Sequence, residues 1–233
     1  MISSPLPPRQ FTLDQDDHLK VIGFIAILLP PLLSITASLI CDCAIQESIS
    51  HYYYTVSGDL FVGLLCAIGT FMVLYKGYER KDQIAASMAG FCAFGVALFP
   101  TSNNIDKHCS NFDYPLNPER VFIHYFFAAA LFSTLAYMCF FLFTKSDKSE
   151  KHRTKMKTIR NRTYRFFGTI ILISMVAILL KEKWPWFSKK VAAWIQFTFW
   201  FEWFATYSFG IAWLIKGGII LKDKVPEIPD YVN

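Results

Sequence analysis

The chain has 233 residues, of which 54% are hydrophobic and 17% aromatic, with 23 Phe and a net charge of +5. That composition is too apolar for an ordinary soluble enzyme, because the remaining polar residues could not cover so large a core. It also excludes a secreted disulfide scaffold, a nucleic-acid-binding domain and intrinsic disorder.

The apolar residues are clustered. Val21 to Cys41 runs 21 residues without a formal charge, Gln83 to Ile105 runs 23, and Val121 to Thr144 runs 24 with only His124 inside it. A membrane-crossing helix needs about 20 such residues. Leu60 to Tyr75, Phe166 to Leu180 and Val191 to Ile215 complete a set of six. The expected fold is therefore an all-α, polytopic bundle of six transmembrane helices at 20–41, 58–76, 82–101, 118–144, 165–181 and 190–216. The transmembrane domain covers 20–224, after an N-terminal segment at 1–19. A basic loop lies at 145–164, and a short tail at 225–233.

Lys and Arg in connecting segments resist translocation, so their distribution sets orientation. They concentrate before helix 1, between helices 2 and 3, between 4 and 5, and after helix 6, with nine between Lys145 and Arg165. Both termini are expected in the cytoplasm. Lys181, Lys183, Lys189 and Lys190 run against this pattern, but they flank Trp184-Pro185-Trp186, where long stems can snorkel to outer headgroups. Asp14, Asp16 and Asp17 precede helix 1, so it reads as a retained anchor rather than a cleaved signal. The expected location is the cell membrane, the inner one in a Gram-negative cell.

In chain order, helix 1 carries Pro30-Pro31, which is expected to kink or break it at mid-depth. Cys41 and Cys43 follow on the outer side, as does Cys109. A disulfide from Cys41 or Cys43 to Cys109, no linkage at all, and a metal site with His108 all remain open. The next loop, Ser48-Ile49-Ser50-His51-Tyr52-Tyr53-Tyr54-Thr55, has no cation and is expected to lie as a lid at the outer surface. Helix 2 offers Asp59, Gly63, Cys66 and Thr70 on one small, polar side, with Ser57-Gly58-Asp59 at its start. Helix 3 carries Ala85, Ala89, Ala93 and Ala97 at steps of four, the mark of close packing in lipid, and is expected to sit centrally. Helix 4 should start at Asn117-Pro118-Glu119 and place His124 within the span. Helix 6 holds Glu202, counted from Val191 as near mid-depth, with Thr206, Phe209, Trp213 and Lys216 on the same side.

The loop residues Ser48-Ile49-Ser50, Tyr52-Tyr53, Thr55, Asp59 and Phe61-Val62-Gly63 resemble the signature of a group of uncharacterised bacterial six-helix inner-membrane proteins. So do Ala97-Leu98-Phe99-Pro100-Thr101, His124, Arg160-Asn161, Glu202, Phe209-Gly210 and Trp213. Tyr54 and Gly58 stand where that signature is expected to show His and Arg. The layout is similar to that of the Frag/DRAM/Sfk proteins, which implies an association with membrane lipids.

Together these features imply an outward-facing polar cavity that binds a lipid or small hydrophobic ligand. Asp59, His124, Glu202, Ser50, Tyr53 and Trp213 are its candidate residues, and Cys43 and Cys109 are the candidate disulfide. No cofactor and no nucleic-acid partner is expected. The competing expectations are a metal-dependent intramembrane hydrolase and a small transporter with Glu202 as coupling carboxylate.

Overall fold

A computed structural model describes residues 15–77, 79–103, 105, 107–111, 117–145, 154–190 and 196–222. It is all-helical among those residues. The long helices are α1 (Gln15–Cys41), α2 (Gly58–Leu74), α3 (Arg80–Leu98), α4 (Pro118–Tyr137), α5 (Lys155–Lys183) and α7 (Phe197–Lys216). A π turn at Met138–Leu142 continues α4, a 3-10 turn at Ile49–Tyr54 precedes α2, and the short α6 spans Pro185–Lys190. By length and composition α1, α4 with its π turn, and α5 can cross a membrane, and α2 is a shorter apolar helix.

The helices pack in sequence order, α1 on α2, α2 on α3, α3 on α4, α4 on α5 and α5 on α7, and α7 then packs back on α1. The result is a closed ring. Hydrogen bonds at its two ends show that neighbours alternate in direction. At one end the Tyr54 hydroxyl donates to Thr101 O (2.6 Å), beyond the C-terminus of α3. There too Phe199 N–H at the start of α7 donates to Glu47 O (2.8 Å). Lys181 near the end of α5 donates to the Thr198 hydroxyl (2.9 Å). At the other end Lys145 pairs with Glu79 (2.8 Å), and Arg160 donates to Leu221 O (2.9 Å). The start of α1 meets Gly217 there.

Close approach explains the small residues. A Cβ on Gly90 of α3 would stand 2.6 Å from Gly69 O of α2, and one on Gly210 of α7 would stand 2.9 Å from Gly23 O of α1. Backbones so near gain many dispersion contacts. Ala85, Ala86, Ala89, Ala93 and Ala97 are all buried. Their helix is not central, however. It sits in the ring wall between α2 and α4, and the centre is occupied by a cavity.

Three further expectations change. α1 runs unbroken through Pro30 and Pro31, and the Ser34 hydroxyl donates to both of their carbonyls at 3.1 Å, so the double proline does not break the helix. Helix 2 is turned the other way round: Asp59, Gly63 and Thr70 are exposed, whereas Phe61, Leu65, Ile68 and Met72 face inward. α5 starts at Lys155, with the Thr154 hydroxyl accepting from Lys157 N–H (3.1 Å), so the basic segment is helix from that point. The rest of it, 146–153, lies outside the described residues, as do residues 1–14 and the tail at 223–233.

The outside of the ring is apolar. Phe24, Leu28, Leu32, Ile35 and Leu39 of α1 are exposed, as are Ile84, Met88 and Phe91 of α3 and Phe122 and Phe126 of α4. Phe166, Ile173 and Val176 of α5 and Phe204 of α7 continue the belt. In water such a surface would drive aggregation, since soluble monomers rarely expose apolar patches beyond a few hundred Å².

Candidate functional site

The cavity lies inside the ring and has a volume of about 70 Å³. At about 10–15 Å³ for each water-sized position, that is room for a short stretch of hydrocarbon and not for two chains. Its walls are almost wholly apolar: Leu29 from α1, Leu65 and Met72 from α2, Val96 from α3, and Leu131 and Leu135 from α4 are representative. Polar character is confined to Ser50 of the 3-10 turn and to Glu202 and Thr206 of α7.

The roof explains that asymmetry. After α1 the chain turns at Asp42, whose φ is +51°, and Cys43 is joined to Cys109 by a disulfide with Cα atoms 5.7 Å apart. The bond ties the segment after α1 to the α3–α4 connection. Cys41 remains a thiol. Among the described residues no group of three His, Cys, Asp or Glu can hold a metal ion.

Beyond the disulfide, Ile49–Tyr54 forms a 3-10 turn capped by the Ser48 hydroxyl, which accepts from Ser50 N–H (3.1 Å). The turn contacts α1, α2 and α7. Tyr52 is fully buried with its ring against Phe199, and its hydroxyl accepts from Gln46 N–H (3.3 Å). Thr55 and Ser57 end the turn. The Ser57 hydroxyl donates to Leu33 O of α1 (2.9 Å) and so anchors the roof instead of capping α2 with its side chain.

Glu202 meets this roof from below. Its Oε2 accepts from Ile49 N–H at 2.6 Å, and the Ser48 side chain is a further hydrogen-bond partner. Because α7 starts at Phe197, the carboxyl lies about 8 Å along the helix, under the roof and not at mid-depth. Residues 191–195, from which the depth was counted, lie outside the described residues.

His124 stands beside it. Its Nδ1 is 2.7 Å from Phe99 O, and its Nε2 is 3.1 Å from Ser50 Oγ. A carbonyl can only accept, so Nδ1 carries the proton. Nε2 of the neutral ring is then the acceptor, and the Ser50 hydroxyl donates to it. Asn117 sets the start of this helix as expected, its Oδ1 accepting from Glu119 and Arg120 N–H at 3.0 and 3.3 Å.

Of the six candidate residues, Ser50, His124 and Glu202 converge on one end of the cavity. Asp59 does not join them, because its exposed side chain is on the outer face of α2. Tyr53 is partly buried in the roof, edge-on to Tyr54, and lines no part of the cavity. Trp213 lines no part of the cavity; it is fully buried and packed edge-on against Tyr75, Phe143 and the cavity-lining Phe209, so it supports the floor and is not a ligand contact.

His51 of the same loop belongs to the roof as well. It is buried in the roof, and its Nδ1 has no hydrogen-bond partner. Burial, with smaller effects from nearby Lys181 and His124, lowers its pKa to about 4. A histidine whose folded pKa lies below its unfolded value contributes full stability above about pH 6.5 and loses it as pH falls towards 4. Wild type is therefore expected to lose about 3 kcal/mol between pH 7 and pH 4 through this group alone. Thermal unfolding of wild type and His51→Asn across that range checks it, since equal losses in the two proteins would remove His51 as the cause.

Comparison with protein-family models, with curated proteins and with solved structures finds no match for this chain. The site must be read from its own geometry.

Proposed function

We propose that the chain is a six-span membrane protein, with both termini cytoplasmic, whose central cavity holds one hydrocarbon chain of a lipid or small amphiphile. The observation that carries this reading is the cavity itself: an apolar bore at the centre of the ring, closed by a polar roof on which Ser50, His124 and Glu202 converge. An amphiphile matches that division, its chain among Leu65, Leu131 and Leu135 and its polar end at the roof.

The six-span reading draws on the apolar belt, which α1, α3, α4 and α5 supply with several exposed residues each, and to which α2 adds Leu74 and α7 Phe204. The orientation draws on two independent features. Lys20, Lys76, Lys145, Lys155 and Arg160 gather at the end where the described chain begins and ends, and positive residues favour the cytoplasm. The disulfide is at the opposite end, as an oxidising outer compartment requires. The resemblance to lipid-associated six-helix proteins agrees in layout.

Native mass spectrometry of the purified protein tests the reading. One retained amphiphile per chain is expected. Leu131→Trp, which fills the bore from α4, is expected to reduce retention at least tenfold with the fold intact. A wild-type protein that carries no hydrophobic molecule out of the membrane would overturn it.

A further inference from the structure

The polar end of the cavity has the parts of an acyl-transfer site. A nucleophile, a base and a group that orients the base form a continuous chain of hydrogen bonds, Ser50 Oγ–H to His124 Nε2 (3.1 Å) and His124 Nδ1–H to Phe99 O (2.7 Å). This is the arrangement by which a serine hydroxyl, a poor nucleophile alone, is activated. A backbone carbonyl stands here where a carboxylate orients the imidazole in the familiar triads. Such a carbonyl fixes the tautomer equally well, since it can only accept.

The surroundings suit the chemistry. Ser50 lines the cavity, while His124, on its hydroxyl, is buried and shielded from bulk water. The apolar walls descend from that hydroxyl and leave space for a single chain. Glu202 is engaged by the Ile49 amide, so it holds the roof and leaves the serine to His124.

We propose that Ser50 and His124 are a catalytic dyad that cleaves the acyl ester of a single-chain amphiphile. The inference rests on the chain-binding reading of the same cavity. Ser50 Oγ adds to the ester carbonyl carbon, and its proton passes to His124 Nε2. The tetrahedral adduct collapses with cleavage of the bond to the alcohol oxygen, and His124 returns the proton to that oxygen. The alcohol leaves and the acyl group stays on Ser50. A water molecule, deprotonated by His124, then adds to the acyl carbon; the Ser50 ester bond breaks, and His124 returns the proton to Ser50 Oγ. The net reaction consumes ester and water and yields a free acid and an alcohol.

The test treats the full chain in detergent micelles with an alkyl fluorophosphonate bearing a dodecyl chain, followed by intact mass and peptide mapping. One covalent adduct per chain, located on Ser50, is expected. Ser50→Ala is expected to abolish it, and His124→Gln to slow its formation about 100-fold, the lower range for loss of a general base. The position of the adduct in the unaltered protein decides the matter even where a variant fails to fold. No adduct, or an adduct on another residue, overturns the dyad. If native mass spectrometry of the same preparation still shows a retained amphiphile, the binding reading survives that failure; if it shows none, both readings fall together.

Discussion

Trp213→Ala is expected to destabilise the protein by about 3–5 kcal/mol, the range for deleting a large buried aromatic side chain. Trp213 is fully buried and meets Tyr75, Phe143 and Phe209 edge-on, with ring centroids 5.3, 5.7 and 5.6 Å away. On the six-span proposal the loss is one of packing contacts, because the hydrocarbon outside is as apolar as the space vacated. The indole nitrogen has no hydrogen-bond partner. Trp213→Phe should therefore cost less than about 1.5 kcal/mol, since it keeps an aromatic ring and removes a buried, unsatisfied donor. Unfolding in detergent measures both. If the two variants lose the same stability, the floor is not held by ring packing.

The second large effect belongs to the roof. Glu202→Ala leaves the Ile49 amide without its 2.6 Å acceptor and is expected to cost about 2–3 kcal/mol, in line with a hydrogen bond to a charged or strongly polar group. The cost should be local. Amide exchange across 49–55 is expected to accelerate about 30- to 150-fold while α3 exchanges as before, because each 1.36 kcal/mol is a factor of ten. Glu202→Gln retains a carbonyl acceptor and should lose less than about 1 kcal/mol. A Gln variant as labile as the Ala variant would mean that charge, not the hydrogen bond, secures the roof.

Helix positions were legible in the sequence because apolar runs and their charged borders mark them directly. The cap at Asn117 was equally plain. Helix faces were less so. In water an apolar face points inward, and in lipid the rule of small residues inward replaces it. That rule places the α3 contacts correctly but misplaces α2, where Gly63 and Thr70 are exposed. The α2 face that looks inward is lined with large side chains because it borders a cavity and not another helix. Glu202 and His124 each stood out as a polar residue in an apolar setting, and Ser50 as part of a loop without cations. Their convergence did not, because it depends on a roof that folds down over α7 through contacts between residues 153 apart, as in Ile49 and Glu202. No local pattern encodes that separation. The burial of His51 was hidden for a related reason: nothing in a polar, aromatic loop signals that its imidazole is enclosed.

The seam between α1 and α7, where Gly23 and Gly210 meet, has a bearing on biosynthesis. Five of the ring's contacts join helices that emerge one after another, and on the six-span proposal each hairpin can form as soon as its second helix enters the membrane. The sixth joins the first helix to the last. Until α7 is made, the bore has an open side, Ile49 has no carboxylate to meet, and the first helix must wait in lipid with its glycine face uncovered. Closing so long a loop is slow compared with forming neighbouring hairpins. A chain that stops before Phe197 can thus form most of its helices and still never enclose a cavity, which makes completion of synthesis the step that creates the site.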